Sequence, residues 1–176
     1  MVDNSVSMSG YKEERAKEDA IEFIDDLLES QENRVSLVTF NEIFGVRYPF
    51  TSEKEAVKST IKNLMFNHRS SFYQGLKGIE EVLKEYERKD DRDCMVLFLT
   101  GSYPSLDTPN EVGYFNYLKE EYPYLTINAI QYGMGAEIIS PVKKISDTQY
   151  YVDETVEENM LFKASISTVE YDQFEV

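Results

Sequence analysis

The amino-terminal stretch contains the residues whose types and spacing could do chemistry. It reads Asp3-Asn4-Ser5-Val6-Ser7, so one carboxylate and two hydroxyls alternate over five positions before a long helical pattern. Oxygen ligands of this kind suit hard cations such as Mg²⁺. The alternative is a capping cluster, because Asp and Ser are also preferred at helix N-termini. The five residues alone favour capping, and the choice depends on what the rest of the chain places beside them.

The composition indicates one folded, acidic domain. With 176 residues the chain can bury a full core, and an aromatic content of 13% argues against disorder. The formal net charge is -15, and no basic cluster interrupts it. Because phosphate backbones and anionic membranes attract stripes of Lys and Arg, nucleic acid and membrane surfaces are poor partners for this chain. No apolar run is long enough to span a membrane.

The remaining reactive residues give little support to catalysis. Cys94 is the single cysteine, which excludes an internal disulfide, and no Cys/His pattern suggests zinc. His68 is the single histidine, so a Ser-His-Asp arrangement would have to use it. Gly133-Met134-Gly135 follows a strand pattern but lacks the third glycine and the opening helix of a dinucleotide fingerprint. We therefore predict no enzymatic activity and keep a nucleotide-binding α/β enzyme as the weaker alternative.

Hydrophobic periodicity predicts alternating strands and helices. Apolar residues spaced by three and four predict helices over 11–30, from a Ser52–Glu55 capping box to 64, and over 72–86, 108–122, 138–142 and 156–164. Short β-branched or continuous apolar runs predict strands over 35–40, 43–48, 95–99, 125–130 and 149–152, with Pro49 closing the second. This order predicts a three-layer, Rossmann-like α/β fold. A mostly parallel sheet, with one antiparallel edge hairpin strand, would lie between helices on both faces.

The order of the elements and three of the loops resemble the von Willebrand factor A domain. Asp3, Ser5 and Ser7 match the Asp-x-Ser-x-Ser that ends the first strand of that family. Ser70 falls where the family has a metal-binding Thr. The family's fourth strand usually ends Leu-Thr-Asp-Gly, whereas this one ends Leu99-Thr100-Gly101-Ser102, so Gly101 replaces the Asp that completes the metal site. The resemblance covers nearly the whole chain.

This resemblance implies an incomplete metal-ion-dependent adhesion site. Ser5, Ser7 and Ser70 would be direct ligands of Mg²⁺, and Asp3 would act directly or through water. In the family a partner carboxylate fills the open position of the ion. A partner-binding face would then comprise Ser5, Ser7, Ser70, Ser102 and Asp107. The loss of the Asp at Gly101 lowers the negative charge of the site by one unit, which weakens its attraction for a cation.

The resemblance therefore predicts a non-catalytic protein–protein interaction module, of the adhesion or scaffolding kind, with weak or absent metal assistance. The alternative is a purely structural domain of a larger multidomain protein, in which these residues only cap and turn the chain.

The first strand is expected to be short. The family's first strand lies centrally, between the second and the fourth, yet only Met1 and Val2 precede Asp3, against a typical strand of about 5–6 residues. We favour an amino-terminally truncated single domain over 1–176 that belongs to a larger protein. The alternative is that another segment or chain donates the strand by β-augmentation.

Overall fold

A central sheet runs through the described part of the chain, which in this computed structural model comprises residues 1–86, 93–101, 110–133 and 140–153. Its six strands lie in the order β3-β2-β1-β4-β5-β6. All neighbouring pairs are parallel except β2 and β3, which form an antiparallel hairpin at one edge. The strands are β1 (Val2–Asp3), β2 (Val35–Phe40), β3 (Phe44–Thr51), β4 (Cys94–Thr100), β5 (Leu125–Tyr132) and β6 (Thr148–Val152).

Helices cover both faces of this sheet. The cores on the two faces place α1 and α2 against one face, and α3, α4 and α5 against the other. The three-layer α/β fold predicted from the sequence is therefore confirmed. The helices are α1 (Tyr11–Leu27), α2 (Lys54–Lys62), α3 (Phe72–Glu85), α4 (Glu111–Glu121) and α5 (Ser140–Lys144).

The continuous apolar run of β4 explains why this strand lies in the interior. Leu97 and Leu99 point into the core beneath α1, whereas Phe98 points into the core beneath α3. The Phe98 ring lies 4.9 Å from the Phe40 ring, centroid to centroid. Successive side chains of a strand alternate between faces, so only a strand covered on both sides can be apolar at every position.

Two predicted boundaries were wrong, and several others fall outside the described residues. The capping box does not form, because α2 begins at Lys54 and its N-cap, Glu53, makes no side-chain capping bond. Pro49 does not close β3, which continues to Thr51 through an irregular register opposite Val35 and Leu37. An edge strand accommodates a proline there because one side of its backbone has no partner strand. The positions Thr108, Pro109 and 138–139 and the predicted helix 156–164 lie outside the described residues.

The sheet contains a slot beside its shortest strand. β1 lies between β2 and β4 as expected, but it pairs only with Thr39 and Phe40 of β2 and with Leu99 of β4. A cavity of about 1030 Å³ lies between the amino-terminal halves of β2 and β4, lined by side chains of both helix layers. The Met1 amino group donates a hydrogen bond to Leu97 O (2.9 Å). Burial lowers the pKa of this amino group to about 5. We call this cavity the strand slot.

Candidate functional site

The Asp-x-Ser-x-Ser residues form a turn between β1 and α1 rather than a helix cap. Asp3 is the last residue of β1, and a short 3₁₀ turn, Val6–Met8, follows. The N-cap of α1 is Gly10, whose φ of 83° lies in the left-handed region that favours glycine. The capping interpretation therefore does not apply to α1, because Asp3, Ser5 and Ser7 do not cap this helix.

Asp3 is the centre of the site. Its carboxylate is fully buried, and its Oδ1 accepts a hydrogen bond from Ser5 N (3.0 Å). Its Oδ2 accepts from Ser70 Oγ (2.9 Å) and from Thr100 Oγ1 (2.8 Å). Burial raises the pKa of this carboxyl above its ordinary value, and the hydrogen bonds offset part of that rise. One side chain thus joins the ends of β1 and β4 to the loop before α3.

The two serines of the motif lie beside this carboxylate. Ser5 Oγ and Ser7 Oγ are 2.7 Å apart and share a hydrogen bond. Ser5 is fully buried, whereas Ser7 is half-buried, so the pair extends from the interior to the surface. The structure therefore brings together Asp3, Ser5, Ser7 and Ser70, the four residues for which a site was predicted.

The loop that carries Ser70 is bonded directly to the motif turn. Val6 N donates to His68 O (3.0 Å), and Asn67 N donates to Asn4 O (2.8 Å). The Asn4 side chain donates to Met65 O (3.1 Å). His68 has a positive φ of 62°, which is uncommon for a non-glycine residue. The backbone bonds between the two segments fix the loop of Ser70 next to the motif turn that carries Asp3.

Lys12 is a site residue that the sequence analysis missed. Its ammonium donates hydrogen bonds to Gly101 O (2.7 Å) and Ser7 O (3.1 Å), and so joins the motif turn to the end of β4. Burial lowers the pKa of the Lys12 ammonium, and the negative charge of Asp3 opposes that shift. Lys12 is one of two lysines on α1, and its sequence position gives no sign that it reaches the carboxyl ends of the strands.

The space that a side chain at position 101 would need is already filled. A Cβ built on Gly101 would lie 2.6 Å from Met8 Sδ and 2.8 Å from Lys12 Cδ. Both distances are too short for real contacts, so an Asp could stand here only if the ends of Met8 and Lys12 moved. The packing around position 101 therefore suits glycine and leaves no space for the expected Asp.

The donor set does not fit a tightly bound divalent cation. The described residues hold no group of three His, Cys, Asp or Glu side chains that could bind a metal. Both oxygens of Asp3 already accept hydrogen bonds, and the Lys12 ammonium adds a positive charge to the site. Mg²⁺ in proteins is usually held by one or two carboxylates. Here the one carboxylate is already compensated by a lysine.

Two residues of the predicted partner-binding face cannot be placed. Ser102 and Asp107 lie outside the described residues, so their contribution stays a prediction. Thr100, which was not predicted, belongs to the site through its bond to Asp3. Its position at the end of the strand that neighbours β1 was the available signal, because the carboxyl ends of parallel strands converge at one edge.

The comparison with known families decides the assignment of the chain. The model of the von Willebrand factor type A domain matches residues 1–102. The chain belongs to this family. Members are commonly adhesion or protein-interaction modules, and most are non-catalytic. No curated protein matches the sequence significantly. Among the described helices, none combines the length and the apolar character needed to cross a membrane.

Solved structures agree with this von Willebrand factor type A fold. The chain is similar to the VWA domain of SpRpn10, with a TM-score of 0.73 and 18% identity over 90% of this chain and 88% of that one. The vWF domain of the type V pili tip protein Mfa5 from Porphyromonas gingivalis gives a TM-score of 0.75 and 12% identity, with coverages of 99% and 95%. At these identities the likeness concerns the fold alone.

A third solved structure shows a metal in this kind of domain. Proximal thread matrix protein 1 from the mussel byssus, solved with a zinc-occupied MIDAS motif, gives a TM-score of 0.74 and 20% identity. The match covers 96% of this chain and 46% of that protein. Metal binding is thus plausible for the family. In the von Willebrand factor type A domain described here, Lys12 lies at the corresponding carboxyl ends of the strands.

Proposed function

We propose that this domain is a non-catalytic protein-interaction module whose partner binds at the edge formed by the motif turn and the Ser70 loop, without a tightly bound metal. The proposal depends mainly on where the exposed apolar side chains lie. Val6, Ile43 and Met65 are 57%, 71% and 75% exposed. They lie in the motif turn, the β2–β3 turn and the loop after α2. We call these three side chains the apolar rim.

Hydrogen bonds made by asparagine side chains hold the three loops of the apolar rim together. Asn4 donates to Met65 O (3.1 Å), and Asn41 donates to Asn67 Oδ1 (3.2 Å). Asn41 Oδ1 in turn accepts from Ile43 N (3.2 Å). Exposed apolar groups that lie near one another on loops commonly mark an interaction site. The rim adjoins the half-buried Ser7, so apolar and hydroxyl groups are available to a partner on the same edge.

The nucleotide-binding alternative receives less support. Gly133 N donates to Val152 O (3.0 Å), and Gly133 O accepts from the Tyr11 hydroxyl (2.6 Å). The backbone of this glycine therefore serves to join β5, β6 and α1. Phosphate-binding loops use free backbone N–H groups, and this one is already bonded. Gly135 lies outside the described residues.

The proposal is tested by placing a charge in the apolar rim. The variants Val6→Asp and Met65→Asp should each lose a partner that the wild-type domain captures from an extract of its source cells, because a carboxylate would have to be desolvated in the interface. Val112→Asp is the matched control, since Val112 is 43% exposed but lies on α4. Captured proteins are identified by quantitative mass spectrometry.

Retention of every captured protein by both rim variants would contradict the proposed edge. If the wild-type domain captures nothing above the level of an unrelated acidic protein, the purely structural role is favoured. Circular dichroism on each variant confirms that the fold persists, which is expected because the substituted side chains are exposed.

A further inference from the structure

We propose that Lys12 is the resident cation of this site, and that its ammonium serves in place of a divalent metal. The proposal deepens the metal-independent binding argued above and rests on that assignment of the edge. Lys12 contributes a charge where a metal-binding domain of this type would hold an ion. It also supplies the link between the motif turn and the end of β4.

The Lys12 ammonium lies between two segments of the site. The Lys12 ammonium donates to Ser7 O (3.1 Å) and Gly101 O (2.7 Å), and so bonds the two segments that carry Ser7 and Thr100. An ammonium has three hydrogens, and the two carbonyls accept two of them. A compact cation between oxygen atoms of separate loops is the arrangement that a coordinated metal also produces.

Electrostatics also favours an ammonium at this site. Asp3 is buried, and a buried carboxylate is costly unless a positive charge compensates it. The negative charge of Asp3 favours the charged form of Lys12, although burial of the ammonium has the larger, opposite effect on its pKa. The two formal charges cancel, so an added divalent ion would leave the pair with an uncompensated positive charge. Like charges at such a site repel, which disfavours metal binding while Lys12 is charged.

Lys12 also packs against position 101. A Cβ at that position would lie 2.8 Å from Lys12 Cδ and 2.6 Å from Met8 Sδ. The lysine stem therefore occupies space that an aspartate at position 101 would need. Replacing Gly101 by Asp without removing Lys12 would place the new carboxylate against the ammonium, where the two neutralise each other.

The test asks which variant gains a metal. Mn²⁺ alone is titrated into the wild-type chain, Gly101→Asp, the double variant Lys12→Ala/Gly101→Asp and the control Lys17→Ala, with binding followed by calorimetry and by thermal unfolding. Lys17 is the matched control because it also lies on α1 and donates to a loop carbonyl, Leu64 O (2.9 Å). Circular dichroism reports whether each variant is folded.

We expect one-to-one Mn²⁺ binding in the double variant, at least about tenfold tighter than in any other chain, because two carboxylates then face the ion without a competing ammonium. The melting temperature should rise with Mn²⁺ in that variant alone. Saturable one-to-one binding to the wild-type chain below millimolar Mn²⁺ would overturn the proposal, as would a folded double variant that binds no tighter than wild type. Binding of Mn²⁺ to the wild-type chain would overturn the proposal even if the double variant does not fold. The titration involves no partner, so its outcome is independent of the capture experiment.

Discussion

At the scale of single residues, the site depends on how Asp3 is satisfied. Three donors from separate segments bond its carboxylate, and Lys12 supplies a compensating charge. Buried charged groups are tolerated in proteins only with such partners. The hydroxyl of Ser70, at the position of a metal-binding residue in the resemblance, here donates to a carboxylate together with Thr100, so Asp3 joins these segments through hydrogen bonds.

Removing one hydroxyl should measurably weaken this edge. Thr100→Val keeps the shape of the side chain but deletes the bond to Asp3 Oδ2 (2.8 Å). The expected loss in the free energy of unfolding is about 1.5–3 kcal/mol, the usual range for a hydrogen bond to a charged group. Urea denaturation measures it. The control is Thr126→Val on the neighbouring β5, where Thr126 is half-buried and a change within about 0.5 kcal/mol is expected. Equal effects in the two variants would contradict the role given to Thr100.

Some residues of the site could be predicted from the sequence and others could not, for a physical reason. Asp3, Ser5 and Ser7 lie within five positions, so their proximity is local, and the similarity to a known loop added Ser70. Thr100 and Lys12 join the site only through the pairing of β4 with β1 and the packing of α1 on the sheet. Contacts of that kind follow from tertiary structure, and their residue types carry no local signal.

At the scale of elements, the fit of α3 against the hairpin depends on small residues. Gly78 of α3 faces Val38 of β2, and a Cβ at that position would lie 2.7 Å from Val38 Cγ1 and 3.3 Å from Phe44 Cβ. The helix can therefore approach β2 and β3 closely. A glycine inside a helix costs conformational entropy, and here the close approach compensates for that cost.

Gly78→Ala should accordingly destabilise the domain although alanine favours helices. We expect a loss of about 1–2 kcal/mol, because overpacking a core costs about 1–3 kcal/mol while the helix gains about 0.5–1 kcal/mol. Gly113→Ala provides the comparison, since Gly113 is exposed on α4 and an added Cβ would have to displace only the exposed side chain of Asn110, so no loss comparable to that of Gly78→Ala is expected. Thermal and urea unfolding report both values. A stabilised Gly78→Ala variant would show that α3 does not need the close contact.

The predictability of the elements follows from their burial. Strands β2, β4 and β5 and helices α1 and α3 were located correctly, because each buries a continuous or periodic apolar pattern. The start of α2 was less predictable. The Ser52–Glu55 capping box resembles a signal that this chain does not use, since hydrogen bonds of the preceding turn, including Lys54 N to Ser52 O (2.8 Å), take its place. Local capping signals are weak, and the first residue of a helix also depends on the course of the chain before it.

At the scale of the whole molecule, the strand slot interrupts the core of the described residues. It lies in line with β1, between β2 and β4, and is bounded by Phe23 and Ile24 of α1 and by Val82 and Leu83 of α3. Apolar side chains line it on both faces of the sheet, as they would cover a strand in the interior of the sheet. An extended apolar segment that continued β1 backwards would pair with both neighbouring strands.

Filling the slot should stabilise the domain. With six apolar residues fused ahead of Met1, we expect the melting temperature to rise by about 5–10 °C, since burying two or more apolar side chains is worth about 3–6 kcal/mol before ordering costs and each kcal/mol shifts a domain of this size by about 2–4 °C. An extension of the same length made of Gly and Ser is the control, because it also converts the Met1 amine into an amide. Equal melting temperatures for the two extensions, measured by calorimetry, would show that the slot does not accept a strand.

The strand slot also gives the sheet two mechanically different ends. At the carboxyl end, β1, the Asp3 bonds and the contact between Phe40 and Phe98 hold β2 and β4 together. At the amino end those two strands are separated by the cavity. Local opening is least costly where few buried contacts resist it, so backbone amides around Val35 should exchange with solvent sooner than those around Phe40. The domain can therefore open locally at the amino ends of β2 and β4 while the carboxyl ends, which carry the serines, keep their structure.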